Sequence, residues 1–286
     1  MKINDRPVVV FLIPFASREI KSKWEIACAH LRQTLKSIQN STNGSFRVVV
    51  AGHEAPDFDV RFDSRFYLLT VNHPIPSREN YPVALKLDRL TKIAVAWAYA
   101  KSTCNPRYVM KLDADDFISS RLVDWLDNAD GKGGYLIKHG WFWRSGARYL
   151  IHRTEYLDRV CGSCLIIRSD LADRTGPFLT EVEGVALDAA SSRFAASDHY
   201  SLVPGSGTST FLLNDSHQRY AAQCAYLGHT LCSVPFNAVV YRTGNPDSSS
   251  SVAGIRRPRY TVRMLVGRIR RTRVITKSLR KEFMLG

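Results

Sequence analysis

The stretch YVMKLDADDF, residues 108–117, sets three aspartates within four residues at the end of an apolar run. The apolar run is typical of a buried strand, so Asp113, Asp115 and Asp116 are predicted to stand at a strand end. Carboxylates this close repel one another, and burying them without partners is costly. We therefore expect either a solvated turn or a site that holds something positive.

The spacing of the aspartates favours a cation. Alternate residues of a strand point to the same side, so Asp113 and Asp115 can meet one ion or ribose while Asp116 points away. Mg²⁺ and Mn²⁺ take oxygen ligands, and Mg²⁺ usually adds substrate phosphates to one or two carboxylates. The alternative is an aspartate-rich turn that caps the helix predicted in SSRLVDWLDN, residues 119–128.

The segments before this stretch predict the fold class. Short apolar runs indicate three more buried strands, and a three-to-four-residue apolar spacing indicates two helices; the strands are 7–15, 46–52 and 65–72, and the helices 17–41 and 85–102. The order β-α-β-β-α-β predicts an α/β layer fold with a mainly parallel sheet. Ligands of such sheets bind at the carboxyl ends of the strands, where the aspartates are expected.

The second half of the chain predicts further strands and one helix. A hairpin is expected from residues 135–145 and 147–153, with strands at 163–169, 230–235 and 237–242 and a helix at 215–228 that Gly228 ends. Residues 243–254, TGNPDSSSSVAG, have the composition of a mobile loop.

Composition limits the class of protein. The chain has 286 residues, 45% hydrophobic and 23% charged, which is enough for a packed core in one large domain or two small ones. No apolar run reaches the roughly 18 residues that cross a bilayer, and the first apolar segment contains Pro14 and resembles no secretory signal. We expect a cytoplasmic protein.

The six cysteines predict buried thiols. CGSC, residues 161–164, is a lone CxxC without the second well-spaced pair that a structural zinc site needs. A redox or metal role is the alternative.

The positive charge lies at one end of the chain. Residues 255–286 hold eleven Lys/Arg and one Glu, or +10 of the net +14. We therefore divide the chain into a domain at 1–254 and a basic amphipathic extension at 255–286. The apolar residues among these charges favour contact with an anionic membrane surface, and packing on the domain or an oligomer contact is the next alternative. Nucleic acid is the third and least favoured partner.

Four segments together resemble a known family. VMKLDADDFIS (109–119) resembles the DxD motif of GT-A fold glycosyltransferases, most like the inverting family 2 type. FLIPFASRE (11–19) is similar to the first strand and turn of that family, and SCLIIRSDLADRTGPF (163–178) to its acceptor-side strand. Residues 213–242 resemble a block in which an acidic pair opens a helix and a Tyr-Arg closes it. The resemblance covers roughly residues 7–250.

The resemblance implies a donor site. Its metal, Mg²⁺ or Mn²⁺, would bridge the diphosphate of a nucleotide-sugar, with Asp113 and either Asp115 or Asp116 as ligands. The donor-binding residues it implies are Pro14, Phe15, Arg18, Glu54, Asp88, Arg89, Lys92 and Asp113. For the basic residues of the 85–102 helix, a solvated face is the alternative.

The catalytic base implied by the resemblance is Asp215. The family's two acids are replaced here by Asn214 and Asp215, and Asp215 is also a plausible helix N-cap. Asp198 is the reserve candidate. Many relatives carry a late histidine as third metal ligand, and the corresponding segment here offers Asn245 or Asp247 instead.

Aromatic residues suggest where an acceptor sugar would lie. In HGWFWRSGARY (139–149), Trp141 and Trp143 share one face of a predicted strand, and aromatic faces can stack on sugar rings. Gly162 is the third residue assigned to the substrate, beside the acceptor-side strand. Ordinary core packing is the alternative for one face of this strand.

The sequence thus predicts a metal-dependent glycosyltransferase for polysaccharide biosynthesis. It would move a sugar from a nucleoside diphosphate donor to a hydroxyl of a glycan or lipid-linked glycan, with inversion, while the 243–254 loop closes over the donor. A sugar-phosphate nucleotidyltransferase would want a Gly-rich loop after the first strand, and PFASREIKSK (14–23) has none. A phosphatase would carry its Asp-x-Asp on the first strand. A non-catalytic basic module is supported by the extension alone.

Overall fold

The computed structural model describes residues 6–76, 81–130, 133–174, 213, 219–244 and 270–286, without the side chains of 81–83. Twelve strands and six α-helices lie in these ranges. The strands are β1 Val9–Pro14, β2 Phe46–Gly52, β3 Phe66–Thr70, β4 Tyr108–Lys111, β5 Phe117–Ile118, β6 Gly134–Leu136, β7 Gly140–Arg144, β8 Tyr149–Arg153, β9 Leu165–Arg168, β10 Cys232–Ser233, β11 Val239–Thr243 and β12 Thr272–Val274. The helices are α1 Trp24–Gln39, α2 Tyr81–Thr103, α3 Leu122–Asp127, α4 Ser169–Ala172, α5 Tyr220–Tyr226 and α6 Lys277–Phe283.

The first sheet has seven strands in the order β10-β6-β9-β4-β1-β2-β3. β1 runs parallel to β2 and β4, and β2 runs parallel to β3, whereas β9 is antiparallel to both of its neighbours. The apolar side chains of β1, β2 and β4 are buried, as expected for parallel strands whose two faces are covered. The predicted α/β class with a mainly parallel sheet is confirmed.

The strand order reverses at one point of this sheet. From β1 the chain moves outward through β2 and β3, and then returns to the other side of β1 as β4. Such a reversal is a topological switch point, and ligands of open α/β sheets bind outside the carboxyl ends of the strands there. The carboxyl ends of β1 and β4 are followed by Phe15 and by the three aspartates.

A second sheet has five strands in the order β12-β8-β7-β11-β5. β7 and β8 form the predicted hairpin, except that residues 135 and 136 of its predicted first strand lie in β6 of the first sheet. β11 runs parallel to β7 and antiparallel to β5. Because β4 belongs to the first sheet and β5 to the second, the aspartates between them lie where the two sheets meet.

The described end of the basic extension packs on the second sheet. β12 pairs with β8, Thr276 caps α6 by accepting a hydrogen bond from the Leu279 N–H, and Phe283 and Leu285 are buried. For residues 270–286, packing on the domain is therefore observed. None of the helices in the described ranges combines the length and the apolarity needed to span a bilayer.

Helix α1 is shorter than predicted. It begins at Trp24, after a turn in which the Ser17 carbonyl accepts hydrogen bonds from Ile20 and Lys21. The described part of the predicted 215–228 helix is α5, Tyr220–Tyr226, and residues 215–218 lie outside the described ranges. Gly228 follows α5 with a φ of +79°, as its predicted role in ending the helix requires.

Candidate functional site

The three aspartates occupy a turn. β4 ends at Lys111, and the Asp116 N–H donates to the Asp113 carbonyl over 3.2 Å. Asp113 and Asp115 remain partly exposed and Asp116 is fully buried, so the predicted division of the three is observed, although a turn produces it and not the pleat of a strand. α3 begins at Leu122 without a side-chain cap, so the aspartates do not cap that helix.

The buried carboxyl group of Asp116 stabilises the turn by hydrogen bonds. The Ser163 hydroxyl donates to its Oδ2 over 2.7 Å, and the Arg242 N–H donates to its Oδ1 over 3.1 Å. Burial, and then the negative charges of Asp115 and Asp113, raise the pKa of Asp116 well above its usual range. Both carboxyl oxygens of Asp116 have partners within the protein, so Asp116 stabilises the turn. This argues against the prediction that Asp116 could replace Asp115 as a metal ligand.

Ser163 and Gly162 fix the position of Asp113. The Ser163 hydroxyl, besides donating to Asp116, accepts a hydrogen bond from the Asp113 N–H over 2.9 Å. A Cβ at Gly162 would lie 2.9 Å from Oδ2 of Asp113, closer than a methyl group tolerates. Gly162 thus permits the carboxylate to lie against the backbone, and its predicted contact with the substrate stays a prediction.

Arg242 fixes Asp115 from the second sheet. Its Nε donates to the Asp115 carbonyl over 3.0 Å, and its Nη2 donates to Oε1 of Gln33 over 2.6 Å. The guanidinium lies 4.7 Å from the ring centre of Phe117 and 5.2 Å from that of Trp143. Burial lowers the pKa of Arg242 to about 10. The only sequence signal for this residue was its place in the Tyr-Arg pair that closes the resembling block.

A buried contact joins β4 to α5. Lys111, two residues before Asp113, donates from Nζ to the Tyr220 hydroxyl over 2.5 Å. Tyr220 begins α5, the helix that the sequence predicts to follow the catalytic base. That base, Asp215, lies outside the described residues, and so do Asn214, Asp198, Asn245 and Asp247.

The loops after β1 and β2 meet at the same edge. The Arg18 N–H donates to Oε1 of Glu54, so two predicted donor residues are brought together. Pro14 is partly exposed at the end of β1. Phe15 is buried and packs on Trp24 with ring centres 5.1 Å apart. Phe15 therefore supports the loop, and its burial argues against the predicted contact of Phe15 with a nucleobase.

The predicted donor residues of α2 divide into two kinds. Asp88 and Lys92 are buried and paired, with 2.8 Å between Lys92 Nζ and Asp88 Oδ2, and Asp88 also accepts from His53 and His73. Burial opposes ionisation, but these hydrogen bonds outweigh it and hold the pKa of Asp88 well below its usual range. Both carboxylate oxygens of Asp88 and the ammonium group of Lys92 thus have partners within the protein, and the structure gives no support for their predicted contact with a nucleotide. Arg89, in contrast, has an Nε without a hydrogen-bond partner among the described residues.

The two tryptophans share one face of β7, as predicted, but they do not face the aspartates. Trp143 is buried, donates from Nε1 to the Ala147 carbonyl and packs edge-on against Phe117, so the structure removes it from the predicted acceptor surface. Trp141 lies against His152. It borders a cavity of 410 Å³, which is lined by Arg121, His139, Trp141, His152, Thr154, Pro235, Phe236, Asn237, Leu279, Glu282 and Phe283.

The CGSC segment is buried beneath the aspartates. Cys161 and Cys164 are free thiols inside the core, and the predicted burial is confirmed. Burial, and next the charge of Asp116, raise the pKa of the Cys161 thiol well above its usual range. Cys161 and Cys164 are therefore held as neutral thiols, which are poor nucleophiles and poor metal ligands.

Comparison with known proteins finds likeness only among solved structures. No protein-family model and no curated protein matches the chain. A fragment of S. aureus TarS, residues 1–349, is 13% identical with a TM-score of 0.44, over 82% of this chain and 60% of that one. The apo-form glycosyltransferase GlyE of Streptococcus pneumoniae TIGR4 is 14% identical with a TM-score of 0.29, over 68% and 44%. The S. cerevisiae mannosyltransferase Ktr4p is 10% identical with a TM-score of 0.28, over 49% and 41%.

Proposed function

We propose that this chain is a metal-dependent glycosyltransferase of the GT-A type that uses a nucleoside diphosphate sugar as donor. The observation that carries the proposal is the aspartate turn: two partly exposed carboxylates, Asp113 and Asp115, follow the strand beside the switch point. The turn is braced by buried Asp116, by Ser163 and by Arg242. A solvated turn needs no such bracing, whereas a ligand site needs preorganised groups.

The residues of the turn fit a hard divalent cation. Asp113 and Asp115 offer carboxylate oxygens, the donors that Mg²⁺ and Mn²⁺ prefer. The charges of these two residues also raise the pKa of buried Asp116, a repulsion that a bound cation would offset. Asp113 and Asp115 would hold the metal, which when bound neutralises charge on the leaving diphosphate.

Residues on the other strand ends would hold the rest of the donor. Pro14 ends β1, and Arg18 and Glu54 lie on the two loops that their hydrogen bond joins. These three residues would meet a nucleobase or ribose. Arg89 supplies a half-buried cation on α2, whose guanidinium would contact a phosphate of the donor.

The acceptor in this proposal is a hydroxyl of a glycan or a lipid-linked glycan. Asp215 would take the proton from that hydroxyl as it attacks the anomeric carbon opposite the leaving diphosphate, which inverts the configuration. The role of Asp215 rests on its place in the resembling block. The positive charge of residues 255–286 would attract the enzyme to an anionic membrane surface on the cytoplasmic side, as expected for polysaccharide biosynthesis, while residues 270–286 remain packed on the second sheet.

The test is release of nucleoside diphosphate across a panel of nucleotide-sugars, with Mg²⁺, Mn²⁺ or a chelator. Turnover of one donor should need the metal, fall at least a hundredfold in Asp113→Asn and Asp115→Asn, and be lost in Asp215→Asn, which should still bind donor. Asp59→Asn is the control, because the Asp59 side chain is 65% exposed and, within the described ranges, pairs with the nearby Arg61. Binding of no donor with either metal would refute the proposal.

A further inference from the structure

Three side chains with metal-ligating atoms converge at a second place, remote in sequence from the aspartate turn. His53 follows β2, His73 follows β3, and Asp88 lies on α2. The Nε2 atoms of both histidines are 2.8 Å from the same oxygen, Oδ1 of Asp88. The three candidate ligand atoms all lie within 4.8 Å of one another.

The cluster is enclosed. The side chains of His53, His73 and Asp88 are 6%, 10% and 6% exposed, and the two imidazole rings meet edge to face with centres 4.6 Å apart. Three segments distant in sequence are therefore held together by one carboxylate oxygen and two ring nitrogens. A metal ion bound by ligands from separate segments links the segments that supply them.

The distances suit a four-coordinate transition metal. Zinc binds nitrogen and carboxylate oxygen at about 2.0–2.2 Å, so ligand atoms at tetrahedral angles stand about 3.4 Å apart. The two 2.8 Å contacts would have to open by only about 0.6 Å, within reach of small side-chain rotations. Imidazole nitrogens favour Zn²⁺, Co²⁺ or Ni²⁺ over Mg²⁺, which prefers oxygen.

We propose that His53, His73 and Asp88 bind one Zn²⁺-like transition-metal ion, separate from the cation of Asp113 and Asp115. Water would complete the coordination. Lys92 Nζ holds the other oxygen, Oδ2, at 2.8 Å, so Asp88 would ligate through Oδ1 alone. The positive charge of Lys92 weakens this site, and the metal would tie the ends of β2 and β3 to α2.

The test uses the full-length protein, freed of metal by a chelator and titrated with Zn²⁺ and Co²⁺. Zn²⁺ is followed by calorimetry and Co²⁺ by the intense visible absorption of its four-coordinate complexes. The ligand variants are His53→Gln and His73→Gln. One control is His152→Gln, because the His152 ring belongs to β8 of the second sheet and pairs with Asn237. The other is Asp113→Asn, which alters the aspartate turn.

The expected result is one Zn²⁺ per chain, four-coordinate Co²⁺ absorption, and at least tenfold weaker Zn²⁺ binding in both ligand variants, with neither control changed. Equal binding in the ligand variants and wild type, no Zn²⁺ in wild type, or loss in Asp113→Asn alone would overturn the proposal. A further variant, Lys92→Met, tests the proposal while retaining all three ligands. Because it removes a positive charge beside the site, Zn²⁺ should bind at least threefold more tightly than to wild type. Unchanged or weaker binding would contradict the proposal.

Discussion

Removal of one hydroxyl should loosen the aspartate turn. Ser163 is fully buried, and its hydroxyl accepts from the Asp113 N–H over 2.9 Å and donates to Asp116 Oδ2 over 2.7 Å. Ser163→Ala deletes both bonds where water cannot replace them. The bond to the peptide N–H is worth about 1 kcal/mol and the bond to the carboxyl about 2 kcal/mol, so the free energy of unfolding should fall by about 3 kcal/mol.

The assay is urea unfolding of Ser163→Ala beside a matched control. Ser17 is also fully buried, but its hydroxyl has no hydrogen-bond partner among the described residues, so Ser17→Ala should cost less than about 0.5 kcal/mol or be stabilising. Ser163→Ala should also bind Mn²⁺ more weakly, since Asp113 loses its anchor. Equal stability of the two variants, with Mn²⁺ affinity unchanged, would show that the hydroxyl does not hold the turn.

Three further perturbations test the same contacts. Gly162→Ala should displace the Asp113 carboxylate and weaken Mn²⁺ binding at least tenfold by calorimetry, with unfolding changed by less than about 1 kcal/mol. Arg242→Lys keeps the charge but not the forked donors, and should lower the free energy of unfolding in urea by about 2 kcal/mol. Burial, then repulsion by Arg242, lowers the pKa of His30 from 6.5 to about 4. The unfolded chain therefore takes up a proton that folded His30 resists, and stability should fall between pH 6.5 and 4, measurably less in His30→Gln.

The fold class was predictable because it depends on local patterns. Runs of apolar residues gave β1 and β2 within about two residues of their observed ends, whereas the fourth strand was predicted to continue through Asp116 and β4 ends at Lys111. The order of these strands around α1 and α2 implied a parallel sheet. The place of the aspartates followed from the same reasoning, since a polar cluster after a buried strand falls at a sheet edge.

The partners of the aspartates were not predictable. Ser163 is 47 residues from Asp116 and Arg242 is 126 residues from it, and no local period connects them. Asp113 and Asp115 were predicted to lie together because alternate residues of a strand share a face. They do so for a different reason, since the strand ends at Lys111 and the aspartates lie in a turn.

Contacts between distant segments also explain why the predictions for some donor-binding and acceptor-binding residues were wrong. Asp88 was expected to face a nucleotide, but two histidines from other loops and Lys92 enclose it. Trp143 was expected to be free to stack on a sugar, but Phe117 from another strand covers it. In each case a side chain from a distant segment decided the outcome, and a single sequence does not show such contacts.

The most direct test of the central claim is a calorimetric titration of nucleoside diphosphates into the protein with and without Mn²⁺. If Asp113 and Asp115 hold a metal–diphosphate, one nucleoside diphosphate will bind only with Mn²⁺, and Asp115→Asn will abolish that binding while the fold is retained. Equal affinity with and without Mn²⁺, or in wild type and Asp115→Asn, would contradict the account.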